Sequence, residues 1–178
     1  MYIAKSLGLN EVADYWHQVI LMNNHQRDRF AKNIIKTLYS TVNGKTIAFL
    51  GWAFKKDTND TRESAAIYVA DLLMDEQATI KVYDPKVNAT QMQSDLNYLN
   101  SRSEDKNAAY LKTESNPYMA MEDAHAIAVL TEWDEFKTYD WQRIYNSMQK
   151  PAFVFDGRNV LDRKVLEKIG FQYKEIGS

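Results

Sequence analysis

A chain of 178 residues has room for one ordinary domain with its own core plus a flanking element. Its 45% hydrophobic and 26% charged residues are those of a globular protein, and no apolar run approaches the ~18 residues that span a membrane. Lys and Arg number 22 against 24 Asp and Glu, a net charge of -2 that lacks the overall basic footprint of a nucleic-acid binder. The absence of cysteine excludes disulfides, thiolate metal sites and a cysteine nucleophile within this chain.

The N-terminal Met1-Tyr2-Ile3-Ala4-Lys5 lacks the basic and apolar regions of a secretory signal, so the expected compartment is the cytoplasm. Met1 runs straight into a helical pattern, as expected where a chain is cut from a longer one. From Asn10 to about Leu38, Val12, Trp16, Val19, Ile20, Phe30, Ile34 and Leu38 recur at spacings of three and four, the period of a helix with one buried face. Asn23 and Arg27 interrupt that stripe. Asn10, Glu11 and Asp14 give a start signal and Asn43-Gly44 a stop, and a helix this long is expected to bridge to another element.

After Gly44 short apolar runs alternate with helical patterns. The runs are 46–49, 79–83, 126–130, 152–155 and 171–176, with a further short strand over 110–113. The first four of them are near-continuous, as in a parallel sheet buried on both faces. Helices are predicted over 62–76, 88–99, 117–123, 140–148 and 162–169, and 101–106 reads as an exposed loop. The expected fold is therefore α/β, a Rossmann-like, open and mainly parallel sheet with flanking helices, preceded by a long N-terminal helix. Residues 1–43 form that helical part and 44–178 the sheet domain.

In such a sheet ligands bind outside the carboxyl ends of the strands. The segment after the first strand, Gly51 to Ser64, has only Gly51 where a dinucleotide fingerprint needs G-x-G-x-x-G, and carries Lys55, Lys56 and Arg62 instead. Anion recognition there would rest on side-chain charge. Asp60 and Glu63 resemble a capping box, which places Arg62 in the first helical turn, where the dipole opposes a cation. Two partners are open to Arg62: a ligand phosphate, or Asp57 or Asp60. Arg158, after the 152–155 strand, has a fork suited to a phosphate or a sugar diol, or it pairs with Asp156 or Asp162. Trp133 reads as closing the core edge, although a ring there could stack on a base. Tyr83-Asp84-Pro85 reads as an Asp-Pro turn. His17, His25 and His125 share no metal-ligand spacing, no serine sits in a nucleophile elbow, and the carboxylates form no acid–base pair, so neither metal nor catalytic residues are assigned.

The string Gly51-Trp52-Ala53-Phe54-Lys55-Lys56-Asp57-Thr58-Asn59-Asp60-Thr61-Arg62-Glu63-Ser64 closely resembles the loop-to-helix motif of the UDP-glucose 6-dehydrogenases, in the UDP-glucose/GDP-mannose dehydrogenase family. Tyr83-Asp84-Pro85, Thr131-Glu132-Trp133-Asp134 and Phe155-Asp156-Gly157-Arg158 follow in the family's order, and Tyr15 to Phe30 is similar to the end of its long connecting helix. Trp52 stands where the family pattern has phenylalanine. The resemblance implies the C-terminal, UDP-binding domain of an enzyme that oxidises UDP-glucose to UDP-glucuronate with NAD. It implies that Phe54, Lys55 and Arg158 contact the substrate. Arg62 would reach an NAD bound mainly by an N-terminal domain of the same enzyme, and homo-oligomers are implied for the longer protein. With no fingerprint and no cysteine, this chain alone is expected to be inactive as a dehydrogenase. The same domain of a dehydrogenase for another nucleotide sugar, and a free-standing binding or interaction module, are the alternatives.

Overall fold

The computed structural model describes residues 2–176. A short helix α1 (Tyr2–Ser6) leads through a turn at Gly8 into α2 (Asn10–Thr37), a 28-residue helix. The remaining elements are β1 (Thr46–Leu50), α3 (Ala65–Asp75), β2 (Thr79–Tyr83), α4 (Ala89–Leu99), α5 (Glu104–Tyr110), β3 (Leu111–Thr113), α6 (Pro117–Met121), β4 (Ala126–Val129), α7 (Trp141–Ser147), β5 (Phe153–Asp156), α8 (Arg163–Ile169) and β6 (Gln172–Glu175), with a 3-10 turn at Asp134–Thr138. All six strands run parallel in the order β3-β2-β1-β4-β5-β6. The Rossmann-like expectation holds, and the direction of winding reverses between β1 and β4.

Side chains along a strand point alternately to the two faces of a sheet, so a strand buried at every position is covered on both. β4 and β5 are buried throughout and β1 at all but Thr46. β2 departs from the expectation by alternating, with Thr79, Lys81 and Tyr83 only partly buried, and Lys81 reaches out to donate from Nζ to the Glu122 carbonyl. The second half of α2 belongs to the same core: Ala31, Ile34 and then Leu38 and Val42 pack with Ile47, Phe49, Val69 and Leu73. Its first half does not, and Trp16 and Val19 are 54% and 37% exposed. No helix among the described residues is long and apolar enough to cross a membrane.

Helix starts follow capping chemistry, since a short polar side chain at the N-cap satisfies an amide that the helix leaves open. Asn88, Asn116, Asp140 and Asp162 each accept from the first turn, and Pro117 takes the first helical position, where its missing N–H costs nothing. Three local expectations change. The third helix begins at Ala65 behind Ser64, whose Oγ accepts from the Ala66 amide, so Asp60 and Glu63 form no capping box and Arg62 lies before the helix. α2 spans Asn10–Thr37, close to the Asn10 to Leu38 of its period, but its stop comes at Tyr39 and Ser40, with φ of 65° and 61°, ahead of Asn43-Gly44. The polar stretch 101–106 is partly helical: Glu104 and Asp105 lie in the first turn of α5, on the favourable side of its dipole. With Asn107 as its one buried residue, α5 carries no hydrophobic period to read.

Candidate functional site at the carboxyl ends of the strands

The loops after β1, β2, β4 and β5 meet at one edge of the sheet, tied together by two buried carboxylates. Asp84, at the end of β2, accepts at Oδ2 from the amides of Trp52 (2.7 Å) and Ala53 (2.9 Å) and from the Trp133 indole N–H (3.1 Å). Its Oδ1 accepts from the amides of Lys86 (2.8 Å) and Val87 (3.0 Å), which closes its own turn. The Asp-Pro turn is therefore present, and the same side chain also holds the loops after β1 and β4. Trp133 is 5% exposed and closes the core edge. Asp156, fully buried, takes the amide of Arg158 on Oδ1 (2.9 Å) and those of Val160 (2.8 Å) and Leu161 (2.9 Å) on Oδ2, with the Tyr173 hydroxyl at 2.8 Å. Burial, helped by Asp156, pushes the Tyr173 phenol well above its ordinary range, so it stays a donor.

At the point where winding reverses, the loops after β1 and β4 pack directly on each other. Gly51 has φ 98°, and a Cβ there would lie 2.4 Å from Thr131 Cβ and Oγ1. Thr131 Oγ1 donates to the Ala53 carbonyl at 2.6 Å. An NAD pyrophosphate needs glycine backbone at the start of a helix. Here α3 is capped by Ser64, and Thr131 sits against the one glycine of the loop, so the residues present do not form a dinucleotide cradle.

Open space lies beside this contact, towards α2. A cleft of about 320 Å³ is lined by Arg27 and Phe30 of α2, Phe54, Leu130, Gly157 and Arg158 among others. Phe54 is 47% exposed at its rim. Arg158 Nε donates to the Leu130 carbonyl (2.8 Å), Nη2 to the Phe54 carbonyl (3.3 Å), and Nε lies 3.6 Å from Glu132 Oε2. Its anionic partner is thus Glu132, and neither Asp156 nor Asp162 as spacing had offered. Lys55 is exposed on the same loop, and its neighbour Lys56 is paired with Asp134 at 2.6 Å, which raises the Lys56 pKa. Asp134 is held at about 2 by Lys137 and Lys56.

Arg62 is set apart. It faces a second groove, of about 540 Å³, between the α3 and α4 sides, with Tyr68, Gln91, Asp95 and Tyr98. Its side chain is 87% exposed and forked onto Asp60, Nε to Oδ1 at 2.9 Å and Nη2 to Oδ2 at 2.7 Å. Of the two partners open to it, the intramolecular one is realised, and Arg62 holds Asp60 at about 2. Phe54 and Arg158 therefore share one cleft, while Arg62 belongs to another, with Glu63 between the two. Spacing did not single out Arg27, Asp95 or Glu132. Arg27 left a trace as a cation on the buried stripe of the long helix. Asp95 accepts from the Trp52 indole (2.9 Å) and the Thr61 hydroxyl (3.1 Å), which no local pattern foretells.

Residues 48–163 match the UDP binding domain of the UDP-glucose/GDP-mannose dehydrogenase family. The chain is 52% identical to a UDP-glucose 6-dehydrogenase of Gallus gallus over 180 residues, which is 99% of this chain and 36% of that protein. It is 51% identical to one of Caenorhabditis elegans, over 100% of this chain and 37% of that protein. The chain thus spans little more than a third of the length of these relatives. Among solved structures, a UDP-glucose dehydrogenase from Pyrobaculum islandicum superposes with a TM-score of 0.67 over 97% of this chain and 34% of that one, at 23% identity, a likeness of fold. By these matches the chain belongs to the UDP-glucose/GDP-mannose dehydrogenase family, as its UDP-binding domain.

Proposed function

We propose that this chain supplies the nucleotide-sugar side of an NAD-dependent UDP-glucose 6-dehydrogenase, the enzyme that converts UDP-glucose to UDP-glucuronate. The observation that carries the reading is the pairing of Phe54 and Arg158 on one open cleft at the strand ends, in a chain about half identical to UDP-glucose 6-dehydrogenases along its whole length. Arg158 grips a phosphate or sugar oxygen with its fork, Lys55 adds charge from the rim, and the Phe54 ring packs against the bound ligand. Arg62 turns from Asp60 towards an NAD held by a separate N-terminal domain, since this sheet has no cradle of its own.

Residues 1–43 serve in this reading as the connecting helix and 44–178 as the UDP-binding domain. The exposed Trp16 and Val19 belong to the surface that the rest of the enzyme, or a second copy in a homo-oligomer, covers. The family resemblance implies a covalent step on a cysteine thiolate, and this chain has no cysteine, so NAD reduction by the purified chain is expected to be nil. Calorimetric titration with UDP and UDP-glucose tests the binding reading. Saturable binding lost in Arg158→Ala supports it, and binding untouched by that change removes Arg158 from the site. Reduction of NAD by the pure chain would overturn the assignment of the chemistry to another domain.

A further inference from the structure

We infer that Arg27, on the long helix, is a positioning residue for the arm formed by residues 51–64. The inference rests on the reading above only for what Phe54 and Arg62 do. The arm crosses from β1 to α3, and besides the contacts of its first half with Thr131, Arg158 and Asp134 it is held by Asp84, Asp95 and Arg27. Asp84 takes the Trp52 and Ala53 amides at its start. Asp95 takes the Trp52 indole and the Thr61 hydroxyl in its middle. At its end stands Arg27: Nη2 donates to the Glu63 main-chain carbonyl at 2.7 Å, and both terminal nitrogens lie 3.3 Å from Glu63 Oε2.

The guanidinium carbon lies 4.1 Å from the centre of the Tyr68 ring, and the Tyr68 hydroxyl donates to the other oxygen of Glu63 at 3.0 Å. The Arg27 side chain is only 13% exposed, while that of Glu63 is 70% exposed. An arginine nearly buried on a long helix is placed there by these contacts and not by solvation.

What Arg27 holds is a strained point. Glu63 has φ 60°, a left-handed conformation that is uncommon for a residue with a side chain and persists where its surroundings over-determine it. That turn lies between Arg62, on the crest of the arm, and Ser64, the buried N-cap of α3. Holding the Glu63 carbonyl therefore sets where Arg62 projects. Arg27 also lines the cleft of Phe54 and Arg158. One side chain of α2 thus fixes the wall between the two grooves, so the placement of the long helix reaches both proposed ligand contacts through Arg27.

Lysine cannot replace it, because one ammonium group cannot donate to the carbonyl and the carboxylate as a fork while lying flat on Tyr68. The test uses the 178-residue chain with Arg27→Ala, Arg27→Met and Arg27→Lys. Hydrogen exchange is followed at the Phe54, Arg62 and Ser64 amides, which are bonded within the arm to the Asp60 carbonyl, Asp60 Oδ1 and the Thr61 carbonyl, and at amides of β4 and β5 as reference. Exchange in the arm is expected to rise about tenfold in all three variants with the reference strands unchanged.

Millimolar guanidinium should restore protection in Arg27→Ala while ammonium does not. Arm protection equal to the parent, full restoration by lysine, or exchange rising equally in β4 and β5 would each overturn the inference. Arg27→Met keeps an apolar contact with Tyr68 and serves if the alanine variant does not fold. UDP titration of the same proteins keeps the two readings separate. A parent chain that binds no UDP counts against the functional proposal, whereas the ligand-free exchange still decides the role of Arg27.

Discussion

Asp84→Asn replaces one carboxylate oxygen by an amide NH2 and tests the junction of the strand-end loops. The best orientation of the introduced amide puts its oxygen where Oδ2 was, keeping the Trp52, Ala53 and Trp133 donors, and turns its NH2 onto the Lys86 and Val87 amides. Val87 is 6% exposed, so its N–H loses its acceptor with no access to water, while the amide of exposed Lys86 recovers a solvent bond. An unsatisfied buried donor costs about 1 to 3 kcal/mol, and weakening three charge-assisted bonds to neutral ones adds roughly 0.5 to 1 kcal/mol each. The expected loss is about 2.5 to 6 kcal/mol, roughly 5 to 24 °C in Tm for a chain of this size. Urea denaturation at neutral pH measures it, with an unchanged m-value showing that the fold is the same. A loss below about 1 kcal/mol would show that Asp84 does not hold the loops together as its hydrogen bonds indicate.

Gly51→Ala meets Thr131 at 2.4 Å from a backbone with φ 98°, and a loss of at least ~3 kcal/mol or failure to fold is expected, read by thermal melting and soluble yield. Arg158→Ala removes the bonds to the Leu130 and Phe54 carbonyls and a one-third-exposed ion pair, so it should cost only about 1 kcal/mol of stability yet weaken any UDP binding about tenfold or more, measured by denaturation and calorimetry on the same protein. Burial, reinforced by the Lys45 charge, lowers the pKa of His125 from 6.5, while its Nδ1 accepts from the Thr46 amide. A histidine with a depressed folded pKa binds protons more readily when unfolded. Its contribution is therefore present above pH 6.5 and lost as pH falls through that value towards the lower folded pKa. His125→Asn, which keeps an acceptor for Thr46, should flatten the pH dependence of stability on the acid side of 6.5, and an unchanged slope in urea titrations there would refute it.

Periodicity alone made the α/β layering legible, because strands buried on both faces are near-continuous apolar runs and α2 repeats at three and four. The motif residues after β1 and β5 were legible too, since strand ends of a parallel sheet are where ligands sit and Arg158 could be placed there by counting. Helix starts were less so. Asp60 and Glu63 have the spacing of a capping box, but Asp60 is taken by Arg62 and Glu63 by Arg27 and Tyr68, so the cap passes to Ser64. A local code loses where a partner from 36 residues away satisfies the same side chain.

By itself, then, the order of residues determined the layered fold, the strand-end location of the candidate contacts, and through four motifs the family. Only the tertiary structure decided that Thr131 packs against Gly51 at the switch point, that the open cleft lies towards α2, and that Phe54 and Arg158 share it while Arg62 faces elsewhere. It also joined Asp84 to both tryptophan loops and Arg27 to Glu63. The reason is range: hydrophobic period and turn chemistry act between residues a few positions apart and are written in the chain. The hydrogen bonds between loops that shape this site join segments 28 to 104 positions apart, and they exist only once the sheet has brought those segments together.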